Sequence, residues 1–185
     1  MNDILEFLQS RNSSARLTDP APSEAELEDL LQAALRAPDH AWLRPWRFIH
    51  ITGERRQAFG EVLERCLCER NPQADETARS KARSAPLRAP LITVVVANLT
   101  EHPKVPAVEQ RLSAGCAAQA LLFAAEASGY AGMWRTGDAA YDPNVMNALG
   151  LAANEEIVAF LYLGTRDGAP KSLPTLEPAE FARSW

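Results

Sequence analysis

Three short polar clusters interrupt an otherwise apolar chain. Arg11-Asn12-Ser13 follows the first helical stretch, and Arg36-Ala37-Pro38-Asp39-His40-Ala41-Trp42-Leu43-Arg44-Pro45-Trp46 follows the second. Gly132-Met133-Trp134-Arg135-Thr136-Gly137 follows the longest. Each supplies an Arg with a hydroxyl or an imidazole nearby. A guanidinium fork binds phosphates and carboxylates bidentately. Brought together, the clusters would make an anion site with hydrogen-bond donors and flat aromatic walls, suited to a phosphorylated planar cofactor. All three are expected on loops at helix ends, where binding residues gather on a rigid scaffold. Each also has a plainer reading. Arg11 and Arg36 can simply complement the negative ends of their helices. Trp46, beside a β-branched and aromatic stretch, reads as core. His40 can be an ordinary loop histidine.

Other chemistries find little support. His40, His50 and His102 are far apart, and no His-Glu-x-x-His occurs, which argues against a zinc hydrolase. Ser113-Ala114-Gly115-Cys116 is not a nucleophile elbow. Ser113 and Cys116 fall in an apolar helix and read as inert packing. Glu109 and Asp138 have no partner that spacing reveals, and Glu126 reads as solvated. No glycine fingerprint of a dinucleotide fold and no phosphate-binding P-loop is present. The net charge of -5 argues against nucleic acid, which needs a basic face. No apolar run reaches the roughly 18 residues of a membrane span, and the first residues lack the pattern of a signal peptide. The three scattered cysteines (Cys66, Cys68 and Cys116) suggest a reduced, cytoplasmic protein without a metal site.

The elements that must position the clusters follow from hydrophobic periodicity. Helices are expected over 3–11, from Ser23 to about Arg36, over 54–70, over 74–85 and over 107–128. Ser23 and Glu26 form a capping box, and Pro38 prevents the second helix from running on. Arg47 to Thr52 reads as a strand. Leu91 to Ala97 is nearly all apolar and reads as a central strand covered on both faces. Glu156 to Leu163 is another strand, ended by Gly164. The middle of the 107–128 helix is apolar almost all round, so it sits in the core or against a partner subunit. The tail from Thr165 is Pro-rich yet carries Leu173, Leu176, Phe181 and Trp185, which favours draping over another surface. With 185 residues, no repeat and no linker, a single α+β domain spanning 1–185 is expected.

The sequence resembles the nitroreductase family, specifically its short single-domain members. The strings that carry the resemblance run from Arg11-Asn12-Ser13-Ser14-Ala15-Arg16-Leu17 through Arg36-Ala37-Pro38-Asp39-His40 and Pro45-Trp46. They continue with Arg88-Ala89-Pro90-Leu91-Ile92, His102-Pro103-Lys104-Val105-Pro106, Glu109-Gln110 and Ser113-Ala114-Gly115-Cys116. Trp134-Arg135-Thr136-Gly137 and Phe160-Leu161-Tyr162-Leu163-Gly164-Thr165 complete them.

The resemblance implies a central, mostly antiparallel sheet flanked by helices. It implies a two-fold homodimer with FMN in a cleft at the subunit interface and NAD(P)H as co-substrate. Arg11, Asn12 and Ser13 then contribute to phosphate and ribityl contacts. Arg36 and His40 reach the same flavin from the other subunit, and Trp134, Arg135 and Thr136 border the isoalloxazine. Hydride would pass by a ping-pong route to a nitroaromatic, quinone or similar small acceptor, with no side-chain nucleophile. Arg11 or Arg135 would stabilise the anionic reduced ring. Many larger members carry an Asn where this chain has Trp42 and a Gln where it has Arg44. Lys171 and Arg166 are candidate replacements for the basic residues that larger members bring to the phosphate from their C-termini. Two other readings stay open: a flavin-binding protein for storage or delivery, and an interaction module built on the 107–128 helix.

Overall fold

The structure is a computed structural model that describes residues 3–185. Its strands are β1 (Leu17–Thr18), β2 (Trp46–Thr52), β3 (Leu91–Asn98), β4 (Ala131–Arg135) and β5 (Glu155–Arg166). Its α-helices are α1 (Asp3–Gln9), α2 (Glu24–Ala34), α3 (Arg55–Arg70), α4 (Glu76–Ser84), α5 (Ala107–Ala127) and α6 (Pro143–Ala148). Every strand pair is antiparallel, in the order β1-β5-β3-β2, with β4 also paired to β5.

The apolar run of β3 lies where such a run should, between two other strands and between two helical layers. Alternate residues serve the two sides. Leu91, Val95 and Ala97 pack with Leu30 and Ala34 of α2 and with the small buried residues of α5. Ile92, Val94 and Val96 pack with Phe59 and Cys66 of α3 and Val145 of α6. Trp46 is buried in the first cluster, as expected of a core residue.

Three local features differ from the expectations. Gly164 does not end the last strand; β5 runs through it to Arg166. A Cβ there would stand 2.7 Å from Pro90 and 2.8 Å from the Thr18 carbonyl, so a glycine is what lets these segments close on the strand. Residues 131–135 form a strand where a loop was expected. The helix α6, near the start of β5, was not anticipated.

The long α5 carries its buried residues on one side, Ala114, Ala117, Ala118, Leu121 and Ala125 among them. Its other side leaves Val108, Leu112 and Cys116 exposed at four-residue spacing. Helix α1 exposes Ile4, Leu5 and Leu8, while its Phe7 ring lies 5.9 Å from Phe123 of α5. Beyond Arg166 the tail is exposed throughout, including Leu173, Leu176, Phe181 and Trp185. Among the described residues no helix is long and apolar enough to cross a membrane.

Candidate functional site

The first cluster is a tightly tethered loop. Arg11 donates to Ser13 Oγ at 3.1 Å, and the Asn12 N–H donates to Glu126 Oε1 at 3.3 Å. The Asn12 side-chain amide donates to the Lys171 carbonyl at 2.5 Å, while Arg166 donates to the Asn12 carbonyl at 3.0 Å. Asn12 therefore joins the N-terminal loop, the end of α5 and the C-terminal tail. Glu126, taken from sequence as a solvated residue, is one of its anchors. One residue on, the Ser14 N–H donates to the Gly132 carbonyl at 3.0 Å. That bond sets the first cluster against the start of β4.

The side chains of the third cluster alternate along β4, because successive side chains of a strand point to opposite faces, yet Trp134, Arg135 and Thr136 all line the cavity beside it. Trp134 faces α5; its indole lies 3.9 Å from where a Cβ on Gly115 would be. Arg135 faces the other way, its guanidinium 5.3 Å from the centroid of the Tyr162 ring. Thr136 is exposed just after the strand, before Gly137 with φ +72°. The loop expectation failed here because β4 is short and has β5 as its one strand partner. Only a long-range ladder, from Ala131↔Gly164 to Arg135↔Phe160, makes it a strand.

Beside β4 opens the largest of the described cavities, about 760 Å³, within the range typical of small-molecule sites. Its walls include Phe59 and Leu63 of α3, Leu87, Met133, Phe160 and Tyr162, and its polar groups include Lys81, Ser84, Arg88, Arg135 and Thr136. Lys81 and Ser84 were not among the residues picked from sequence, because 74–85 was read as an exposed helix, and Arg88 entered only through the family resemblance. Lys81 and Ser84, three residues apart in α4, share a helical face, and Arg88 closes the 3-10 turn that follows.

Arg135 is electrostatically unsatisfied. Its Nε is buried without a hydrogen-bond partner among the described residues. Burial and the neighbouring Arg88 both push its pKa below the usual arginine value, against the pull of Tyr162. Burial raises the Tyr162 phenol, and the two arginines oppose the rise. A half-buried cation with an unpaired N–H, facing another cation, is costly unless an acceptor or a negative charge arrives. Near its far end, the five residues of β4 reach the Arg11–Ser13 loop, about 13 Å away at strand spacing.

The second cluster lies apart from that cavity in the same chain. Leu35, Arg36, Ala37, Asp39, Trp42, Arg44 and Trp46 line a separate cavity of about 380 Å³. His40 Nδ1 sits 2.7 Å from Glu109 Oε2 at the start of α5, and Ser113 Oγ donates to the Pro38 carbonyl. Glu109 and Ser113, one read as unpartnered and the other as inert packing, thus tie this loop to α5. Ala41, Trp42 and Arg44 hold φ values of 64°, 56° and 50°, in the left-handed region that costs an L-residue about 1 kcal/mol or more each. The Asp39 carboxylate stabilises the turn by accepting from the Leu43 and Arg44 N–H groups at 3.1 and 2.8 Å. Trp42 projects outward, 79% exposed.

Comparison with known proteins identifies the family. A family model described as the nitroreductase family matches residues 8–165. The "Putative NAD(P)H nitroreductase YdjA" of Escherichia coli (strain K12) is 45% identical over 180 residues, covering 97% of both chains. A "Putative NAD(P)H nitroreductase" of Haemophilus influenzae is 35% identical over 164 residues, 88% of both chains. Among solved structures, a nitroreductase-like family protein from Bacillus cereus superimposes with a TM-score of 0.84 at 24% identity, covering 100% of this chain and 97% of the other. A Bacteroides fragilis nitroreductase with bound FMN gives 0.77 at 22% identity, covering 100% of both chains. By motif, fold and sequence alike, the chain belongs to the nitroreductase family.

Proposed function

We propose that this protein is an FMN-dependent oxidoreductase that moves hydride from NAD(P)H to a small oxidised acceptor such as a nitroaromatic or a quinone, acting as a homodimer. The observation that carries the reading is the 760 Å³ cavity beside β4 with the unsatisfied Arg135 at its wall. FMN, when bound, supplies the two-electron chemistry; no side chain here is asked to be a nucleophile. Arg135 provides the positive charge that favours an anionic reduced ring, in a partly buried setting where that charge is only weakly screened. Arg11, Asn12 and Ser13 hold the phosphate and ribityl groups, and Trp134 and Thr136 border the ring with Arg135. Arg166, already bonded to the Asn12 carbonyl, adds positive charge beside the phosphate.

Arg36 and His40 complete the site from the second copy of the chain. Their distance from the cavity in one chain favours this arrangement, as do the uncovered apolar residues of α1 and α5 and of the tail. Large apolar side chains left exposed in this number suit a surface that another chain covers. The E. coli and H. influenzae relatives and the FMN-bound B. fragilis structure support the cofactor and the co-substrate by likeness.

The visible spectrum of the purified protein tests the reading. Bound or added FMN should give the yellow flavin bands, and NAD(P)H should bleach them until a quinone is added. A colourless protein that takes up no FMN refutes the proposal. A yellow protein with negligible NAD(P)H oxidation in the presence of quinone makes it a flavin carrier instead.

A further inference from the structure

The cavity beside β4 carries more positive charge than one flavin ring needs. Arg135 lies against Tyr162, while Lys81 and Arg88 line the same space and are solvent-exposed. No Asp or Glu lines it. Of the acids on the adjoining helices, Glu64 and Glu76 are each engaged by both Arg79 and Arg83. Lys81 and Arg88 make no ion pair among the described residues. This positive opening stands in a chain whose net charge is -5, so it opposes the overall sign of the molecule. An anionic reduced ring carries one negative charge, and the half-buried Arg135 suits it. Two exposed cations then face whatever enters next, above the apolar surfaces of Leu63, Leu87 and Phe160.

We propose that the physiological acceptor is an anionic aromatic compound, its ring on those apolar walls and its carboxylate or sulfonate group beside Lys81 and Arg88. The inference rests on the flavin reductase reading and names its substrate class. The charge of the cavity would raise the local concentration of such molecules and orient them ring-inward. Because Lys81 and Arg88 are exposed, each contributes only a few-fold, and the pair about tenfold.

The test compares 4-nitrobenzoate with 4-nitrobenzamide, which have nearly the same shape and differ by one charge. Each turnover oxidises one NAD(P)H, takes up one proton, converts the nitro group to nitroso and releases one water. Intrinsic reactivity cancels when the ratio of the two kcat/KM values is compared between wild type and variants. That ratio should fall about tenfold in the double variant Lys81→Ala, Arg88→Ala. It should fall further in Lys81→Glu, Arg88→Glu, and should drop in wild type as salt rises to about 0.5 M. A readout independent of turnover is the Kd of benzoate against benzamide, followed by perturbation of the flavin absorbance; it should shift in the same direction. Bound FMN with a ratio indifferent to both substitutions and salt overturns this inference alone. Wild-type protein that binds no FMN overturns the reductase reading and this inference together.

Discussion

At the scale of single residues, Arg135 is the sharpest case. Its guanidinium is stacked on Tyr162, repelled by Arg88 and left with a buried N–H unpaired. Such a group lowers the stability of the empty protein in order to hold charge where a ligand needs it. Arg135→Met is therefore expected to raise the stability of the FMN-free protein by about 1 kcal/mol, seen as a higher Tm. The same substitution should lower the midpoint potential of bound FMN, read by spectroelectrochemistry, because the anionic reduced ring loses its counter-charge. An unchanged potential would remove Arg135 from the flavin site.

His50 gives a second expectation. Its Nδ1 lies 3.0 Å from Thr93 Oγ1 in the sheet, and burial lowers its pKa from the ordinary 6.5. The folded protein thus binds a proton less readily than the unfolded chain. Its contribution to stability is complete above about pH 6.5 and is lost as pH falls below that value toward the folded pKa. Thermal melts in that window should show Tm falling with acidification, and His50→Gln should flatten the slope.

At the scale of elements, the site depends on how closely α4 approaches α3. A Cβ on Gly60 would stand 2.1 Å from the Arg83 carbonyl oxygen, a backbone atom that cannot step aside without moving the helix. Gly60→Ala should destabilise the fold by about 2 kcal/mol through overpacking. It should also weaken FMN binding, measured by titration, because the displaced helix carries Lys81 and Ser84. A variant that melts lower yet binds FMN as wild type does would show that α4 does not shape the flavin pocket.

Elements also differ in how far sequence reveals them. The helices α2, α3 and α5 were legible because periodicity and caps are local; Ser23 and Glu26 form the expected capping box, and Gly129 takes φ +85° just past α5. β3 was legible because a run covered on both faces has no polar alternation. β4 was not, since it is five residues long and draws its identity from β5, about thirty residues further on. The site was partly legible for the same reason. Arg11, Trp134 and Arg135 stand out as residue types. That Lys81 and Arg88 share a cavity with Arg135 is a fact of packing; charge content alone made the helix that carries Lys81 read as merely exposed.

For the whole molecule, the exposed side of α5 matters most. Leu112 is 65% exposed in the isolated chain, between Val108 and Cys116 on the same stripe. Homodimer interfaces bury large apolar areas of this kind. Leu112→Glu should yield a monomer by light scattering and, because Arg36 and His40 are proposed to come from the second copy, a protein with at least tenfold weaker FMN binding. A Leu112→Glu protein that is dimeric and yellow would move the interface elsewhere. The middle of α5, Ala114 to Ala125, was legible as apolar almost all round, but the open stripe of Val108, Leu112 and Cys116 was not.

The tethering of Asn12 has a consequence for biosynthesis. Its partners are Glu126, Arg166 and Lys171, so the loop proposed to hold the phosphate is synthesised long before the residues that fix it. A nascent chain halted before residue 166 has every residue of the three polar clusters, yet it lacks the bonds that Arg166 and Lys171 make to the first. Cofactor capture should therefore wait until residues 166–171 have been synthesised, so that an apoprotein stage precedes the holoprotein.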